Sequence, residues 1–332
     1  MSESPDTAEL LAGVRVLALP MRQRFRGIDV REVALLRGPE GWTEFSPFLE
    51  YDDDESAAWL AAAIDFGWNA PPPPRRDRIP VNATLPAVTA ERVGEVLARF
   101  PGCRTAKVKV AEPGQTLADD IARVAAARAI LGPEGRIRLD ANGGWNVDEA
   151  EHAVHALSGY DLEYLEQPCA SVAELAELRE RIGYLDIPVA ADESVRKADD
   201  PLAVARASAA DLLVIKAQPL GGIHRALDIV ELAGLPATVS SALETSIGIA
   251  MGAHLAAAMP ELPYDAGLAT AALFERDVTA APLLPVDGAI DVRRPEPDAA
   301  ALDALDAGPE RTAWWHERIA RCHQLLPIPP IE

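Results

Sequence analysis

Five charged residues recur at nearly even spacing through the middle of the chain. They are Lys109, Asp140, Glu166, Asp192 and Lys216, and the gaps between them are 31, 26, 26 and 24 residues. Each lies at or near the end of a short apolar run that is followed by a turn and a helical pattern. One strand, one helix and two loops need about 25 to 30 residues. Strand ends meet on one face of a closed parallel barrel, so the spacing predicts three carboxylates in a row with a lysine on each side.

The three acids form a predicted metal site. Asp140, Glu166 and Asp192 are hard oxygen donors, and these strand ends carry no histidine or cysteine. Such a donor set suits Mg²⁺, for which Mn²⁺ can substitute. Without a cation, three carboxylates in one cleft would repel one another and raise each other's pKa. The alternative is that each acid pairs with a lysine or caps a helix.

The two lysines are the predicted catalytic residues. A cation on a carboxylate makes the adjacent carbon more acidic, because the negative charge of the enolate spreads towards the cation. A lysine can remove that proton if burial and neighbouring cations lower its pKa. Lys109 and Lys216 therefore predict proton transfer on a carboxylate substrate. The alternative is that either lysine only pairs with an acid of the metal site.

Strand alternation adds two residues to the predicted site. Lys107 shares a face with Lys109, and Asn142 shares a face with Asp140. On the other strands the residues beneath the key positions are apolar or small, namely Leu162, Tyr164, Ala190, Leu212 and Val214. This pattern is typical of a filled barrel interior with polar groups only at its rim.

Several further residues are candidate substrate contacts or supports. Glu193 follows Asp192 and would face the opposite way in a regular strand, where it supports the site or forms a salt bridge. A basic run, Arg22, Arg24 and Arg26, could bind a substrate carboxylate, or it could be a solvated loop. The other candidates are Ser240 and Ser241, as hydroxyl donors or plain turn residues, and Gly267, which could let a ligand approach the backbone.

The elements that position these residues extend from about residue 81 to residue 285. The strand candidates are VNATLP, TAKVKV, IRLDAN, LEYLEQP, IPVAADE, DLLVIKA, ATVSSAL and LPYDAG, and amphipathic helical patterns fill most of the gaps. Eight strands with intervening helices in about 190 residues favour a closed barrel. An open doubly wound sheet is the alternative.

Two segments flank this predicted barrel domain of residues 81–285. Residues 1–80 contain three β-like stretches that predict an antiparallel meander, then an acidic helix start that predicts a helix of about three turns. PPPPRR at 71–76 is a stiff extended linker, and we place the domain boundary there. Residues 286–332 contain one helical stretch, which we expect to pack on the first domain or on the barrel.

Composition narrows the classes of function. The net charge of -21 argues against nucleic acid and anionic membrane surfaces as partners. No apolar run approaches the roughly 18 residues of a membrane span, and the N-terminus lacks a signal-peptide pattern, so we expect a cytoplasmic protein. Three cysteines without a CxxC do not form a disulfide framework, and all six histidines fall in helical patterns.

Five motifs in register carry a resemblance to a known family. TAKVKV, LDAN, EQP, ADES and VIK resemble the enolase superfamily, whose known pattern pairs a Lys or His base with Mg²⁺. The chain resembles its muconate lactonizing enzyme subgroup, which uses lysines on opposite faces of the site. The resemblance implies an α/β fold, a (β/α)₇β modified TIM barrel with an α+β capping domain. It also implies Mg²⁺ on Asp140, Glu166 and Asp192.

Longer matches indicate a branch of this subgroup. FRGIDVRE, LDANGGW, EQPC, SSALETSIG and GLATAALFERDV look most like the dehydratases of menaquinone biosynthesis. The resemblance implies a lyase acting on a small dicarboxylate, in which Lys109 removes the α-proton and Lys216 stabilises the enolate. Asn142 and Glu193 would support these groups. We expect a monomer or a small homo-oligomer.

Other functions remain open at this point. An N-succinylamino acid racemase would use both lysines as acid and base, one on each face. A dipeptide epimerase is less well supported, because its Asp-x-Asp at the eighth strand is reduced here to Asp265. A mandelate racemase-like enzyme would need a histidine at a late strand end. A catalytically silent metal-binding or partner-binding barrel is the alternative from another class.

Overall fold

The first part of the chain forms a small sheet. The computed structural model describes residues 5–197 and 200–328, so the ends of the first and last predicted segments lie outside the described residues. A short helix precedes three strands, namely α1 (Thr7–Leu11), β1 (Arg15–Phe25), β2 (Ile28–Gly38) and β3 (Gly41–Phe45). The strands pair as an antiparallel meander, as predicted. Arg26 and Gly27 join β1 to β2 with φ values of 52° and 77°, which are typical of a tight two-residue hairpin.

A long helix packs on this sheet. α2 (Asp53–Trp68) begins after Asp52, whose side chain accepts a hydrogen bond from the Glu55 backbone N–H. The helix has 16 residues and exceeds the predicted three turns, because its buried face continues through Phe66 and Trp68. α1 was not predicted, since five residues are too few to show a helical period. Residues 69–77 have no regular structure and lead into the short strand β4 (Arg78–Pro80).

Seven parallel strands form the barrel wall. They are β5 (Ala83–Leu85), β6 (Thr105–Lys109), β7 (Arg136–Asp140), β8 (Leu162–Glu166), β9 (Val189–Ala191), β10 (Leu212–Ile215) and β11 (Ala237–Val239). The helices among them are α3 (Val93–Leu97), α4 (Leu117–Leu131), α5 (Val147–Leu157), α6 (Val172–Ile182), α7 (Glu193–Arg196), α8 (Ala203–Arg206), α9 (Ile223–Ala233) and α10 (Ser246–Ala258). The strands are hydrogen-bonded in sequence order from β5 to β11, as a closed parallel barrel requires.

The eighth predicted strand closes this sheet as a pair of bridging residues. Ala266 bridges to Val81, and Gly267 bridges to Ser240. The Ala266 N–H donates to the Pro80 carbonyl at 2.8 Å, and the Gly267 N–H donates to the Val239 carbonyl at 2.8 Å. LPYDAG therefore joins the two edges of the sheet without forming a regular strand.

The barrel interior is apolar below most of the key residues. Tyr164, Ala190, Leu212 and Val214 form a separate buried cluster, with Tyr264 packed against it.

Arg138, which was not among the predicted site residues, lies inside the barrel beside this cluster. Arg138 is fully buried, donates to Glu163 Oε2 at 2.5 Å and lies over the Tyr164 ring. A bulge between β7 and β8 brings Glu163 to this position, and sequence alternation does not reveal a bulge.

The C-terminal part of the chain returns to the first sheet. β12 (Ala289–Asp291) pairs antiparallel with β4, and α11 (Ala299–Ala304) and α12 (Gly308–Gln324) follow. Trp315 of α12 is buried edge-on against Phe45, with ring centroids 5.7 Å apart, and its Nε1 donates to Glu32. Arg318 donates to the carbonyls of Phe48 and Tyr51. The helix therefore braces the loop between β3 and α2.

Within residues 5–197 and 200–328, no helix is both long enough and apolar enough to span a membrane.

Candidate active site

The five residues with regular spacing meet at the carboxyl ends of five consecutive strands. Lys109, Asp140 and Glu166 are the last residues of β6, β7 and β8 and stand in register with one another. Asp192 and Lys216 directly follow β9 and β10. β6 and β10 are four strands apart in an eight-position ring, so the two lysines lie on opposite sides with the three acids between them.

Lysine side chains bridge the acids. Lys107 Nζ lies 2.7 Å from Glu166 Oε1 and 3.0 Å from Asp140 Oδ2. Lys109 Nζ lies 2.6 Å from the same Asp140 oxygen. On the far side, Lys216 Nζ lies 2.5 Å from Asp192 Oδ2. These contacts are the ion pairs of the alternative interpretation, and they bring the acids of the predicted metal site to the same end of the barrel.

The three acids offer a divalent cation both paired and unpaired oxygens. Among the described residues, no three Asp, Glu, His or Cys side chains lie close enough together to form a complete metal site. The reason is visible in the ion pairs, since the Lys107 ammonium lies between Asp140 and Glu166. Nevertheless, Glu166 Oε2 is buried and has no hydrogen-bond partner. A carboxylate oxygen without a partner beside two further carboxylates fits a hard cation.

Burial and mutual charge perturb these groups strongly. Burial would raise the pKa of Asp140, but Lys107 and Lys109 outweigh it and hold that pKa well below its usual range. Burial, followed by the charge of Asp140, raises the pKa of Glu166 to about 7. Burial lowers the pKa of Lys216, although Asp192 opposes the shift. Lys107 has a raised pKa despite burial, because it pairs with both Asp140 and Glu166. The two acids differ because Asp140 contacts two lysines, whereas Glu166 contacts Lys107 alone.

The predicted supporting residues lie beside these groups. Asn142 has a left-handed backbone, with φ at 48°, and its Oδ1 accepts a hydrogen bond from Lys109. Its Nδ2 donates to Glu193 Oε1 at 3.1 Å. The expectation that Glu193 faces away was wrong, because the strand ends before it and Glu193 begins α7. It both supports the site and forms a salt bridge.

One pocket opens over this cluster. Its lining includes Phe25, Arg26, Phe48, Thr84, Lys107, Lys109, Asp140, Asn142, Arg196, Lys216, Ser240, Ser241, Leu243, Gly267 and Thr270. Ser241 Oγ lies 2.6 Å from the Gly267 carbonyl and 2.8 Å from Thr270 Oγ1, so it also braces the barrel closure. A Cβ at Gly267 would lie 2.4 Å from Ser240 Oγ. A larger residue at position 267 would therefore displace the Ser240 hydroxyl.

The basic run divides between the pocket and the surface. Arg26 lies at the hairpin tip, with its guanidinium 4.2 Å from the Phe48 ring centroid and Nη2 2.9 Å from the Tyr51 hydroxyl. Arg22 donates to the Glu275 carbonyl, and Arg24 pairs with exposed Asp29. Of the three arginines, Arg26 alone is among the residues that line the pocket described above.

Comparison with known proteins places the chain in a family. Residues 89–298 match the enolase C-terminal domain-like family, and residues 16–67 match the enolase N-terminal domain-like family. The chain belongs to the enolase superfamily. The predicted family and the predicted barrel with a capping domain are thereby confirmed. Enzymes of this superfamily depend on a divalent metal ion.

Individual members of the enolase superfamily are similar over nearly the whole chain. An o-succinylbenzoate synthase of Mycobacterium tuberculosis (strain H37Rv) is 58% identical over 323 residues, which cover 97% of each chain. The o-succinylbenzoate synthase of Mycobacterium ulcerans is 57% identical over 319 residues, 96% of this chain and 95% of the relative. A muconate lactonizing enzyme from Pseudomonas fluorescens shares the fold, with a TM-score of 0.75 at 21% identity over 88% of this chain and 97% of that one.

Two residues beside the site were missed at the sequence level. Arg196 contacts both Asp192 and Glu193, and the Tyr51 hydroxyl contacts Arg196. Arg196 lies four residues after Asp192, which is the spacing of one helical turn, and this signal was available. Tyr51 lies 145 residues away in sequence from Arg196, so no local pattern could have found it.

Proposed function

We propose that the chain is an o-succinylbenzoate synthase. It removes water from 2-succinyl-6-hydroxy-2,4-cyclohexadiene-1-carboxylate to give 2-succinylbenzoate, a step of menaquinone biosynthesis. The observation that carries the proposal is the pair Lys109 and Lys216 on opposite walls of one pocket. Asp140 lines the same pocket, and the strands of all three carboxylates lie between those of the two lysines. Relatives of that name at 58% identity support the choice of substrate.

The cation of this reaction would be Mg²⁺, with Mn²⁺ as a substitute. Asp140, Glu166 and Asp192 would hold it, and the buried Glu166 Oε2 without a partner supports that assignment. When bound, such a cation supplies Lewis-acid stabilisation of the negative charge that develops on the substrate carboxylate.

Lys109 is the general base and then the general acid. Lys109 Nζ takes the proton from the carbon that bears the ring carboxylate. The C–O bond to the ring hydroxyl then breaks, and Lys109 returns the proton to the departing oxygen, so that water leaves and the ring becomes aromatic. One lysine serves both transfers, because a syn elimination has its proton and leaving group on the same face. Asp140 and Asn142 hold Lys109 at that face.

Lys216 stays protonated on the opposite side and stabilises the enolate. Asp192 Oδ2 fixes its ammonium group at 2.5 Å. Burial lowers the pKa of Lys216, which makes the ammonium a stronger hydrogen-bond donor towards developing negative charge. Arg26 and Ser240 line the same pocket and are the proposed contacts to the substrate carboxylates, together with Ser241 and the backbone at Gly267.

A direct assay tests this function. The purified protein, loaded with Mg²⁺, should remove the ultraviolet absorbance of the cyclohexadiene, and EDTA should block the reaction. A Lys109→Ala variant, checked for folding by circular dichroism, is the matched blank. A folded protein that binds the cation and yet leaves the diene unchanged would exclude the synthase. The predicted cytoplasmic location and the monomer or small homo-oligomer remain predictions.

A second function has its own support in the site. Because the lysines approach the pocket from opposite walls, either face of an α-carbon has a base within the pocket. An N-succinylamino acid racemase needs this arrangement. Exchange of the α-proton for deuterium in an N-succinylamino acid, followed by NMR, would detect the activity, and it should require both lysines.

A further inference from the structure

An arginine controls one of the three acids from the pocket wall. Arg196 ends α7, is 6% exposed and donates from Nε to Asp192 Oδ1 at 2.9 Å. Its Nη2 donates to Glu193 Oε1 at 2.6 Å. The other oxygen of the aspartate, Oδ2, accepts a hydrogen bond from Lys216. Each Asp192 oxygen therefore has a different cationic partner, and the carboxylate is held in one orientation.

A residue of the cap holds this arginine in place. The Tyr51 hydroxyl accepts hydrogen bonds from Arg196 Nη1 at 3.3 Å and from Arg26 Nη2 at 2.9 Å. The Tyr51 ring packs edge-on against Phe48 and Trp59, with centroids 5.4 Å and 6.1 Å away. Apolar packing thus fixes the ring, and the hydroxyl carries the contact from the cap to the barrel.

The positive charge of Arg196 alone would weaken cation binding at Asp192. A guanidinium next to a ligand carboxylate repels a divalent cation. Its benefit must come from geometry, because the planar fork of an arginine holds two acceptors at once, whereas a lysine ammonium does not. Groups that orient a metal ligand in this way commonly contribute 10- to 100-fold to metal affinity or activity.

We propose that Arg196, held by Tyr51, is a positioning residue: it occupies Asp192 Oδ1, which leaves Oδ2, the oxygen that Lys216 contacts, as the one available to a divalent cation. The contact of Tyr51 in the capping domain with Arg196 in the barrel would thereby affect cation binding. This inference rests on the proposed function, in which Asp192 holds the divalent cation.

The test uses Mn²⁺ alone as the probe, with its binding to the full-length protein followed by electron paramagnetic resonance. Arg196→Lys keeps the charge and loses the fork, and Tyr51→Phe keeps the ring and loses the hydroxyl. Arg179→Lys is the matched control for the arginine, since Arg179 grips Asp211 from Nε and Nη2 at 2.8 Å and 2.6 Å. Tyr184→Phe is the control for the tyrosine, whose hydroxyl contacts His155 on the surface.

We expect Arg196→Lys to raise the Mn²⁺ dissociation constant about tenfold and Tyr51→Phe to raise it several-fold, with both controls unchanged. At saturating Mn²⁺ the kcat of Tyr51→Phe should return close to wild type, while the cation concentration for half-maximal rate stays high. Unchanged or tighter Mn²⁺ binding in both variants would overturn the positioning role and leave the proposed function standing. Failure of the wild-type protein to bind Mn²⁺ would overturn both.

Discussion

Two fully buried glutamates lie in different parts of the molecule and have similar acidity but different surroundings. Glu44 lies between the capping domain and the barrel, a contact region that we call the seam, and burial raises its pKa to about 7. Burial also raises the pKa of Glu166, at the end of β8, to about 7. Similar burial and similar pKa values therefore do not distinguish a structural acid from a functional one. The hydrogen-bond partners of the two carboxylates do.

Glu44 has a complete set of donors. Its Oε1 accepts from Ser46 Oγ at 2.6 Å. Its Oε2 accepts from the Thr245 hydroxyl at 2.5 Å and from the backbone N–H groups of Thr245 and Gly248 at 3.1 Å and 3.2 Å. Ser46 directly follows β3, and Thr245 and Gly248 lie at the start of α10 and its cap, so Glu44 links the capping domain to the barrel.

Glu166 has one lysine and an oxygen without a partner. Lys107 contacts Oε1, while Oε2 is buried and unpaired. After burial, the charges of Asp140 and Asp192 raise its pKa, while those of Lys107 and Lys216 lower it. A native protein rarely leaves a buried polar atom unsatisfied without a functional reason. The two glutamates therefore differ in their partners: hydroxyl and backbone donors surround Glu44, whereas Glu166 keeps an unpaired oxygen among charged groups.

The largest expected effect is the loss of turnover in Lys109→Ala. Lys109 is proposed to act first as base and then as acid in the strand-end cluster, that is, Lys109, Asp140, Glu166, Asp192 and Lys216. Its removal should reduce the rate of dehydration by about 10³-fold or more. Mn²⁺ affinity should stay close to wild type, because the three acids remain. Lys216→Ala should also be severely impaired. Near wild-type turnover in Lys109→Ala, measured by loss of the diene absorbance, would contradict the proposed mechanism.

The next effect separates the two glutamates directly. Glu166→Gln should weaken Mn²⁺ binding by roughly 10²- to 10³-fold, more than the loss of a group that only orients a ligand. Glu44→Gln serves as the matched control, since it makes the same change at an equally buried site. Equal loss of affinity in both variants would show that the cation site extends to the seam, and the division between the two regions would be wrong.

Whereas Mn²⁺ affinity should depend on Glu166, the free energy of unfolding should depend on Glu44. Glu44→Ala leaves two backbone N–H groups and two hydroxyls without their acceptor, which should lower the free energy of unfolding by about 3 kcal/mol or more. Urea unfolding measures this change. Glu95→Ala is the control on the surface, where solvent screens its ion pairs with Arg92 and Arg99 and they contribute little to stability. If Glu44→Ala lowers the free energy of unfolding no more than Glu95→Ala does, Glu44 does not stabilise the contact between the capping domain and the barrel.

The five site residues could be predicted from the sequence because their convergence depends on local spacing. Parallel barrel strands all end on one face, so a β/α period places Lys109, Asp140, Glu166, Asp192 and Lys216 together without knowledge of any distant contact. The donors around Glu44 are brought together in a different way. Glu44 and Thr245 are 201 residues apart in sequence, and only the docking of the cap brings them together. Arg138 with Glu163, and Arg196 with Tyr51, escaped prediction because a bulge and a domain contact create them.

The smallest effect is a pH dependence that separates the two regions again. Glu44 has a pKa of about 7 in the folded protein and an ordinary value of 4.5, so the folded state binds more protons between these values. Its contribution to stability is complete below pH 4.5 and is lost as the pH rises through about 7. The free energy of unfolding of the wild type should therefore fall relative to Glu44→Gln by about 1 kcal/mol per pH unit in this window. Saturating Mn²⁺ should leave this slope unchanged, because the donors of Glu44 are neutral hydroxyl and backbone groups. A slope that disappears with Mn²⁺ would mean that the titrating group belongs to the strand-end cluster.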